Sequence, residues 1–249
     1  MSWICQKELP EDMRVERALP GIQPLDLANW LHIDEVYAAQ MAERRRLLKA
    51  LPNKVIATTK GSDAAVREAL EMIVQQVLTL EGFERIDDDV LRCPDGHRVS
   101  LLGAPLHVMG ELVQEDICIL QKPTGSAEHI LSAAVLCFPA LWTLSEKIGH
   151  PMGRIHAPVQ EYTEDIKRRV QRLFDGVKVG RPLWRFNRAH AGPQLFQPRL
   201  EQEYRAHEAG DTPEFLRAER QSLIRLPVSE AVIFSIHTYV IAPSGTKKA

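Results

Sequence analysis

From Ser62 or Asp63, either a suitable N-cap, the apolar residues Val66, Leu70, Ile73, Val74, Val77 and Leu78 recur at helical spacing. Upstream, Asp26 to Leu48 carries Leu27, Trp30, Leu31, Val36, Tyr37 and Met41 among charges, which also reads as helical. It runs into Arg44-Arg45-Arg46, expected to be a solvated helix end where cations favour the dipole. From about Phe83 the texture changes to short apolar runs broken by Gly and Pro. Val108 to Leu120 and Ile130 to Cys137 read as strands, and Thr163 as the cap of a helix with Ile166, Val170, Leu173 and Phe174 on its apolar stripe, stopped by Gly176. Arg181 to Asn187, Leu216 to Leu226 and Ala231 to Ile241 are three further strands, although Thr212-Pro213-Glu214 is also a good helix start. Strands, a helical middle and strands again predict an α+β fold with an antiparallel sheet. Residues 1–82 are expected to form an N-terminal helical extension and 83–249 the sheet domain.

Alternation along the last strands sorts their side chains by face. Leu216, Ala218, Arg220, Ser222, Ile224 and Leu226 make an apolar face interrupted by Arg220 and Ser222. An arginine there needs an anion, a hydrogen-bond network or a ligand to compensate it. A structural ion pair and a functional role both satisfy that need. Arg217, Glu219, Gln221 and Arg225 lie opposite and read as solvated. In the next strand Ile233, Ser235, His237 and Tyr239 form a mixed face suited to lining a pocket, with His237 either a satisfied core histidine or a ligand. Arg185 and Asn187 share one face of their strand, Trp184 and Phe186 the other.

Composition narrows the classes. The 249 residues hold 31 Lys and Arg against 33 Asp and Glu, a net charge of −2, which gives no general electrostatic reason to bind nucleic acid or an anionic membrane. No apolar run approaches the roughly 20 residues that span a bilayer, and Met1 to Arg14 lacks the apolar core of a secretory signal. A cytoplasmic location is expected. The four cysteines, Cys5, Cys93, Cys118 and Cys137, are far apart, which argues against a zinc ribbon or an iron–sulfur cluster. G-x-G-x-x-G, P-loop, G-x-S-x-G and H-E-x-x-H motifs are absent, and Asp87-Asp88-Asp89 reads as a turn.

His156 stands between Ile155 and Ala157-Pro158-Val159, ahead of the helix that Thr163 opens. Prolines on both sides, Pro151 and Pro158, stiffen the backbone that presents it. Such a histidine can offer one ring nitrogen to a metal or cofactor.

Several segments then fall into a known order. They are Gly21-Ile22-Gln23-Pro24-Leu25-Asp26 with Trp30-Leu31, Gln114-Glu115-Asp116-Ile117-Cys118, Cys137-Phe138-Pro139 and Ile155-His156-Ala157-Pro158-Val159. Arg181-Pro182-Leu183-Trp184-Arg185-Phe186-Asn187, Arg217-Ala218-Glu219-Arg220-Gln221-Ser222-Leu223 and Phe234-Ser235-Ile236-His237-Thr238-Tyr239 follow. This ordered set, over about residues 21–241, resembles the haem-dependent oxidative N-demethylase family. The resemblance implies a PAS-like antiparallel sheet with helices packed on one side. It also implies haem b, whose iron is held by a histidine, and oxidative removal of a methyl group from a small amine such as dimethylamine, with dioxygen consumed and formaldehyde released. Electrons would come from NADPH through separate reductase subunits carrying flavin and an iron–sulfur cluster.

Carried onto this chain, the iron ligand is His156. Arg220 and His237 are the candidates to polarise dioxygen, with Glu219, Arg185 and Asn187 as further residues of the catalytic and cofactor-binding set. Two positions depart from the pattern of many relatives: Gln160 where a proline follows Val159, and Arg188 where an aromatic residue follows Arg-Phe-Asn. A haem-binding sensor without turnover, and an idle homologue acting through protein contacts, are the alternatives.

Overall fold

Seven antiparallel strands, drawn from early, middle and late parts of the chain, make the sheet on which the molecule is built. The computed structural model describes residues 3–15, 21–156, 164–203 and 214–243. In chain order the elements are β1 (Gln23–Pro24), α1 (Tyr37–Ala50), α2 (Pro52–Val55), β2 (Ile56–Thr58), α3 (Asp63–Val77), β3 (Glu84–Arg85), β4 (Val90–Arg92), β5 (Arg98–Ser100) and α4 (Pro105–Leu112). They continue with β6 (Asp116–Gln121), β7 (Ile130–Val135), α5 (Leu144–Lys147), α6 (Met152–Ile155), α7 (Glu164–Gly176), β8 (Leu183–Ala191), β9 (Phe215–Arg225) and β10 (Val232–Ile241).

The large sheet runs β1-β8-β9-β10-β6-β7-β2, and β3-β4-β5 form a small second sheet. This is the α+β class with an antiparallel sheet that the sequence predicts. Residues before Phe83 supply both edges, because β1 pairs with β8 and β2 with β7. Helices cover both faces. On the first, Ile117, Ile119, Ala133, Val135, Ile224, Ile233 and Tyr239 pack with residues of α1, α3 and α4. On the second, Cys118, Leu120, Ala134, Leu223 and Val232 pack with Leu144 of α5, Met152 of α6 and Phe174 of α7.

Local chemistry explains where elements start. The expected helix over Asp26 to Leu48 is broken in two. Asp26 accepts the N–H of Ala28 at 3.0 Å to close a tight turn, and Asp34 accepts the N–H of Val36 at 3.0 Å, so the helix proper begins at Tyr37. The α3 repeat folds as read up to Val77, burying Ala65, Val66, Ala69, Ile73, Val74 and Val77, whereas Leu78 lies just past its end and is exposed. Each larger apolar side chain removed from water there contributes about 1.5–3 kcal/mol. Burial pushes the Cys93 thiol up to about 11 and the Cys137 thiol up to about 12, so both stay protonated at neutral pH.

Two expectations are corrected. Val108 to Leu112 is not strand but the end of α4, opened by Pro105 at its first turn. Its buried residues Leu106, Val108, Met109, Gly110 and Leu112 leave almost no polar face, so its sequence looks like an apolar strand. Gly110 is required there: a Cβ would lie 2.9 Å from Val135 Cγ2 and 3.0 Å from Leu48 Cδ1, holding α4 away from β7 and α1. The second correction is Arg44-Arg45-Arg46, which is no solvated end. Arg44 is 0% exposed and bonds Asp116 Oδ1 at 2.7 Å, Arg45 pairs with Asp95, and Arg46 alone remains exposed beside Glu43. Thr163 and Thr212-Pro213 lie outside the described residues.

Asp116 is the hub of that burial. Besides Arg44, it accepts the N–H of Cys137 at 2.7 Å and of Phe138 at 2.8 Å, tying α1, β6 and the segment after β7. Arg44 also donates to the carbonyls of Gly110 and Gln114 and stacks over Phe138 at 5.3 Å. Breaking a buried pair by removing one partner leaves the other charge uncompensated, at a cost of about 3–5 kcal/mol. Asp116→Ala is therefore expected to lower unfolding free energy by about that amount in denaturant titration. A loss under about 1 kcal/mol would show that water replaces the carboxylate there.

Candidate functional site

Strands β8, β9 and β10 place polar side chains on both faces of the sheet, and register decides which meet. Arg220 stands opposite His237, with Phe186 beyond Arg220 on β8. Glu219 stands between Asn187 and Thr238, and Gln221 between Arg185 and Ile236. The first set shares the face of Ile233, Ile224 and Trp184, which pack with α1, α3 and α4. The second shares the face of Leu183, Leu223 and Phe234, which packs with α5, α6 and α7.

On the first face the candidates are held by other protein groups. Arg220 donates to Asp12 Oδ2 at 3.0 Å and to the Asn29 carbonyl at 3.3 Å, and its guanidinium lies 3.8 Å over the Trp184 ring. His237 is buried between two carboxylates, with Nδ1 2.9 Å from Glu115 Oε1 and Nε2 3.2 Å from Asp34 Oδ2. Burial disfavours its charge, but the combined effect of Glu115 and Asp34 raises its pKa from 6.5 to about 9. At neutral pH His237 is an imidazolium with both N–H groups donated, so neither nitrogen has a lone pair for a metal.

Around it runs a network that sequence reading missed. Asp34 accepts from Gln6 and Gln114, and its pKa falls to about 2 because its bonds to His237 and to these amides outweigh burial. Gln114 donates to Gln40, Gln40 to the Thr238 carbonyl, and His32 lies 2.8 Å from the Tyr239 hydroxyl. Burial first, then the neighbouring His237 charge, lowers His32 to about 4. The only sequence signal was the polar run Gln114-Glu115-Asp116 ahead of an apolar strand.

His156 belongs to the other layer. It ends α6, whose Met152 is in the second-face core and whose Ile155 packs against it. Its Nδ1 lies 2.9 Å from the Met152 carbonyl, which can only accept, so Nδ1 carries the proton. Burial, with Lys147 nearby, lowers its pKa below the ordinary value. The ring is thus neutral at pH 7, and its lone pair is on Nε2. The segment carrying it is clamped. Lys147 donates to the Ile155 carbonyl at 2.7 Å and pairs with Glu201 at 2.6 Å, Arg154 makes two 3.0 Å bonds to Glu201, and Glu128 accepts the Gly153 N–H. Arg154, then Lys147, holds the Glu201 carboxyl down at about 2. Ala157 to Gln160 lie outside the described residues.

The second face of β9, expected to be solvated, is largely covered: Arg217 is 4% and Glu219 9% exposed. The Glu219 carboxylate accepts from Gln221 Nε2 at 3.2 Å and Asn187 Nδ2 at 3.4 Å, with Arg217 Nε 3.7 Å away. Arg185 is half-buried, its pKa is lowered by burial, and its Nε is buried without a hydrogen-bond partner among the described residues. Thr238 Oγ1, on the same face, is likewise buried and unpartnered. Buried polar atoms left unpaired cost roughly 1–3 kcal/mol each and mark a place where another polar group fits.

The six candidates therefore separate. His156, Arg185, Asn187 and Glu219 lie on one side of the sheet, Arg220 and His237 on the other, so one pocket does not contain all of them. A neutral, carbonyl-anchored histidine with an Nε2 lone pair fits single axial ligation of a haem iron. The unpaired guanidinium edge of Arg185 fits an anionic group such as a haem carboxylate. Among the described residues no cluster of three or more His, Cys, Asp or Glu forms a metal site, and no helix is long and apolar enough to cross a membrane. The sequence model of a family described as haem-dependent oxidative N-demethylase, alpha subunit-like, matches residues 21–248.

The His237 charge gives a pH test. Its folded pKa is raised, so its contribution is fully present below about 6.5 and is lost as pH rises through about 9. The Tm difference between the natural protein and His237→Gln should be largest near pH 6.5 and shrink toward pH 9. A difference that stays constant over that interval rules out the imidazolium assignment.

Proposed function

The chain belongs to the haem-dependent oxidative N-demethylase alpha-subunit-like family, and from that premise we propose that it binds haem b through His156 and oxidatively demethylates a small methylated amine. The observation that carries this reading is neutral His156, anchored at Nδ1 by the Met152 carbonyl, on the same side of the sheet as Arg185 and Glu219. Bound there, haem supplies the electron-transfer and dioxygen chemistry that no protein side chain provides. For dimethylamine the balance is one dioxygen, two electrons and two protons, giving methylamine, formaldehyde and water. The alpha-subunit description implies further subunits, and the electrons reach this chain from NADPH through partners carrying flavin and an iron–sulfur cluster.

The chain's own residues orient, charge and desolvate the site. The Met152 carbonyl fixes the His156 tautomer, so that Nε2 is the nitrogen that would hold the iron. Arg185 puts a fixed positive charge on the wall, available to a haem carboxylate or to negative charge developing on dioxygen as it is reduced. Asn187 and Gln221 hold Glu219 in place. Glu219 attracts the ammonium form of the substrate and takes the proton that must leave before the nitrogen lone pair is exposed. Arg220 and His237 act through the fold by fixing β9 against β10.

Formaldehyde release from dimethylamine by haem-loaded protein, supplied with reductant and dioxygen, tests the enzyme reading. Glu219→Gln is expected to lower kcat/KM by about 100-fold or more while haem content stays constant. Unchanged turnover would remove Glu219 from the chemistry. Haem retention with no formaldehyde from dimethylamine or trimethylamine would leave a haem-binding sensor in place of an enzyme.

A further inference from the structure

Four chain reversals converge at one end of the sheet: the Thr59–Gly61 turn after β2, the loop between β6 and β7, the segment Asp175–Val179 at and after the end of α7, and the tip of the β9–β10 hairpin. They enclose a cavity of about 830 Å³, within the range of small-molecule sites. Its lining residue His129 accepts the Met152 N–H at 3.0 Å, so the cavity borders the segment that leads to His156.

Charge distinguishes this cavity from an ordinary cleft. Lys60, Lys122, Lys178 and Arg225 line it against the carboxylates of Asp175 and Glu230, an excess of two positive charges on a chain whose net charge is −2. Only Lys122 is paired with a carboxylate among the described residues, at 2.8 Å from Asp175. Arg225 is rigid yet uncompensated: its three nitrogens donate to the carbonyls of Val177, Glu230 and Phe174 at 2.5–2.6 Å. One wall is further set by Gln171, which donates to Nδ1 of buried His129 at 2.9 Å and to Asp175 at 3.0 Å. Gly61 and Gly125 take φ of +88° and +79°, and a Cβ at either would meet nothing within 4 Å, so the rim is open.

We infer that this cavity binds a small phosphate-bearing molecule of mononucleotide size, with the phosphate held among Lys60, Lys178 and Arg225. A phosphate monoester carries about −1.5 to −2 at pH 7, which matches the local excess. Concave shape favours a small ligand over an acidic protein surface, which would use a flatter patch. None of the residues assigned to haem lines the cavity, so the phosphate reading stands or falls separately from the haem reading.

Calorimetric titration of the full chain at low ionic strength with adenosine 5′-monophosphate, inorganic phosphate and adenosine tests it. Binding of one or both phosphates, none of adenosine, and weakening by about tenfold or more in Lys60→Ala/Lys178→Ala are expected, because two exposed charges that meet the phosphate are gone. That double variant leaves the Arg225 bonds intact and should keep the natural haem content. No binding of either phosphate overturns the proposal. So does phosphate binding that the double variant leaves unchanged, or binding of a poly-glutamate peptide alone.

Discussion

The pairing of β9 with β10 is the constraint on which the molecule's polar chemistry depends. Ten consecutive partners, from Val232 opposite Arg225 to Ile241 opposite Leu216, leave no bulge in which a side chain changes face. Arg220 is thereby committed to the same side as His237, and Glu219 to the side of Asn187 and Thr238. A slip of one residue would bury the Glu219 carboxylate under α1, α3 and α4 and turn Arg220 toward the α5–α7 layer. Register is therefore what assigns each polar side chain of β9 and β10 to one face or the other.

What holds that register is the buried polar system on the first face. Gln6 accepts the Val240 N–H and donates to the Thr238 carbonyl, so the N-terminal segment is bonded along β10. Asp34 and Glu115 close on His237 from two further segments, and Trp30 Nε1 donates to Ser235 at 2.8 Å. Together with the Arg44–Asp116 pair, these bonds make the residues before Phe83 part of the sheet's support. Groups so enclosed rigidify when satisfied and are expensive when one member is lost. Buried polar atoms without a partner among the described residues occur on both faces, Glu115 Oε2 and Arg220 Nε on the first and Arg185 Nε and Thr238 Oγ1 on the second.

Sequence periodicity revealed a good deal of this. The α3 stripe, the strands β7 to β10 and the parity of their side chains follow from spacing alone, because each depends on near neighbours. The misses share one cause. Arg44 looked like part of a solvated run because its partner Asp116 is 72 residues away. His237 looked like a pocket residue because Asp34, 203 residues distant, gives no local sign. The second face of β9 looked solvated because nothing in its own composition announces the covering layer. Short α4 has only His107 and Glu111 as a polar side, too little to betray a helical period. For His156, proline spacing and family resemblance singled out the residue, while its bond to Met152 became visible only in three dimensions.

The central claim is that His156, and no histidine on the opposite face, is the ligand through which the cofactor is held. Absorption spectra of haem-loaded His156→Gly, with and without added imidazole, test it most directly, with His237→Gln as the companion. The account predicts that His156→Gly loses the histidine-ligated spectrum, that free imidazole entering the vacated space restores it, and that His237→Gln keeps the natural spectrum. A natural spectrum in His156→Gly without imidazole, or its loss in folded His237→Gln, would contradict the account.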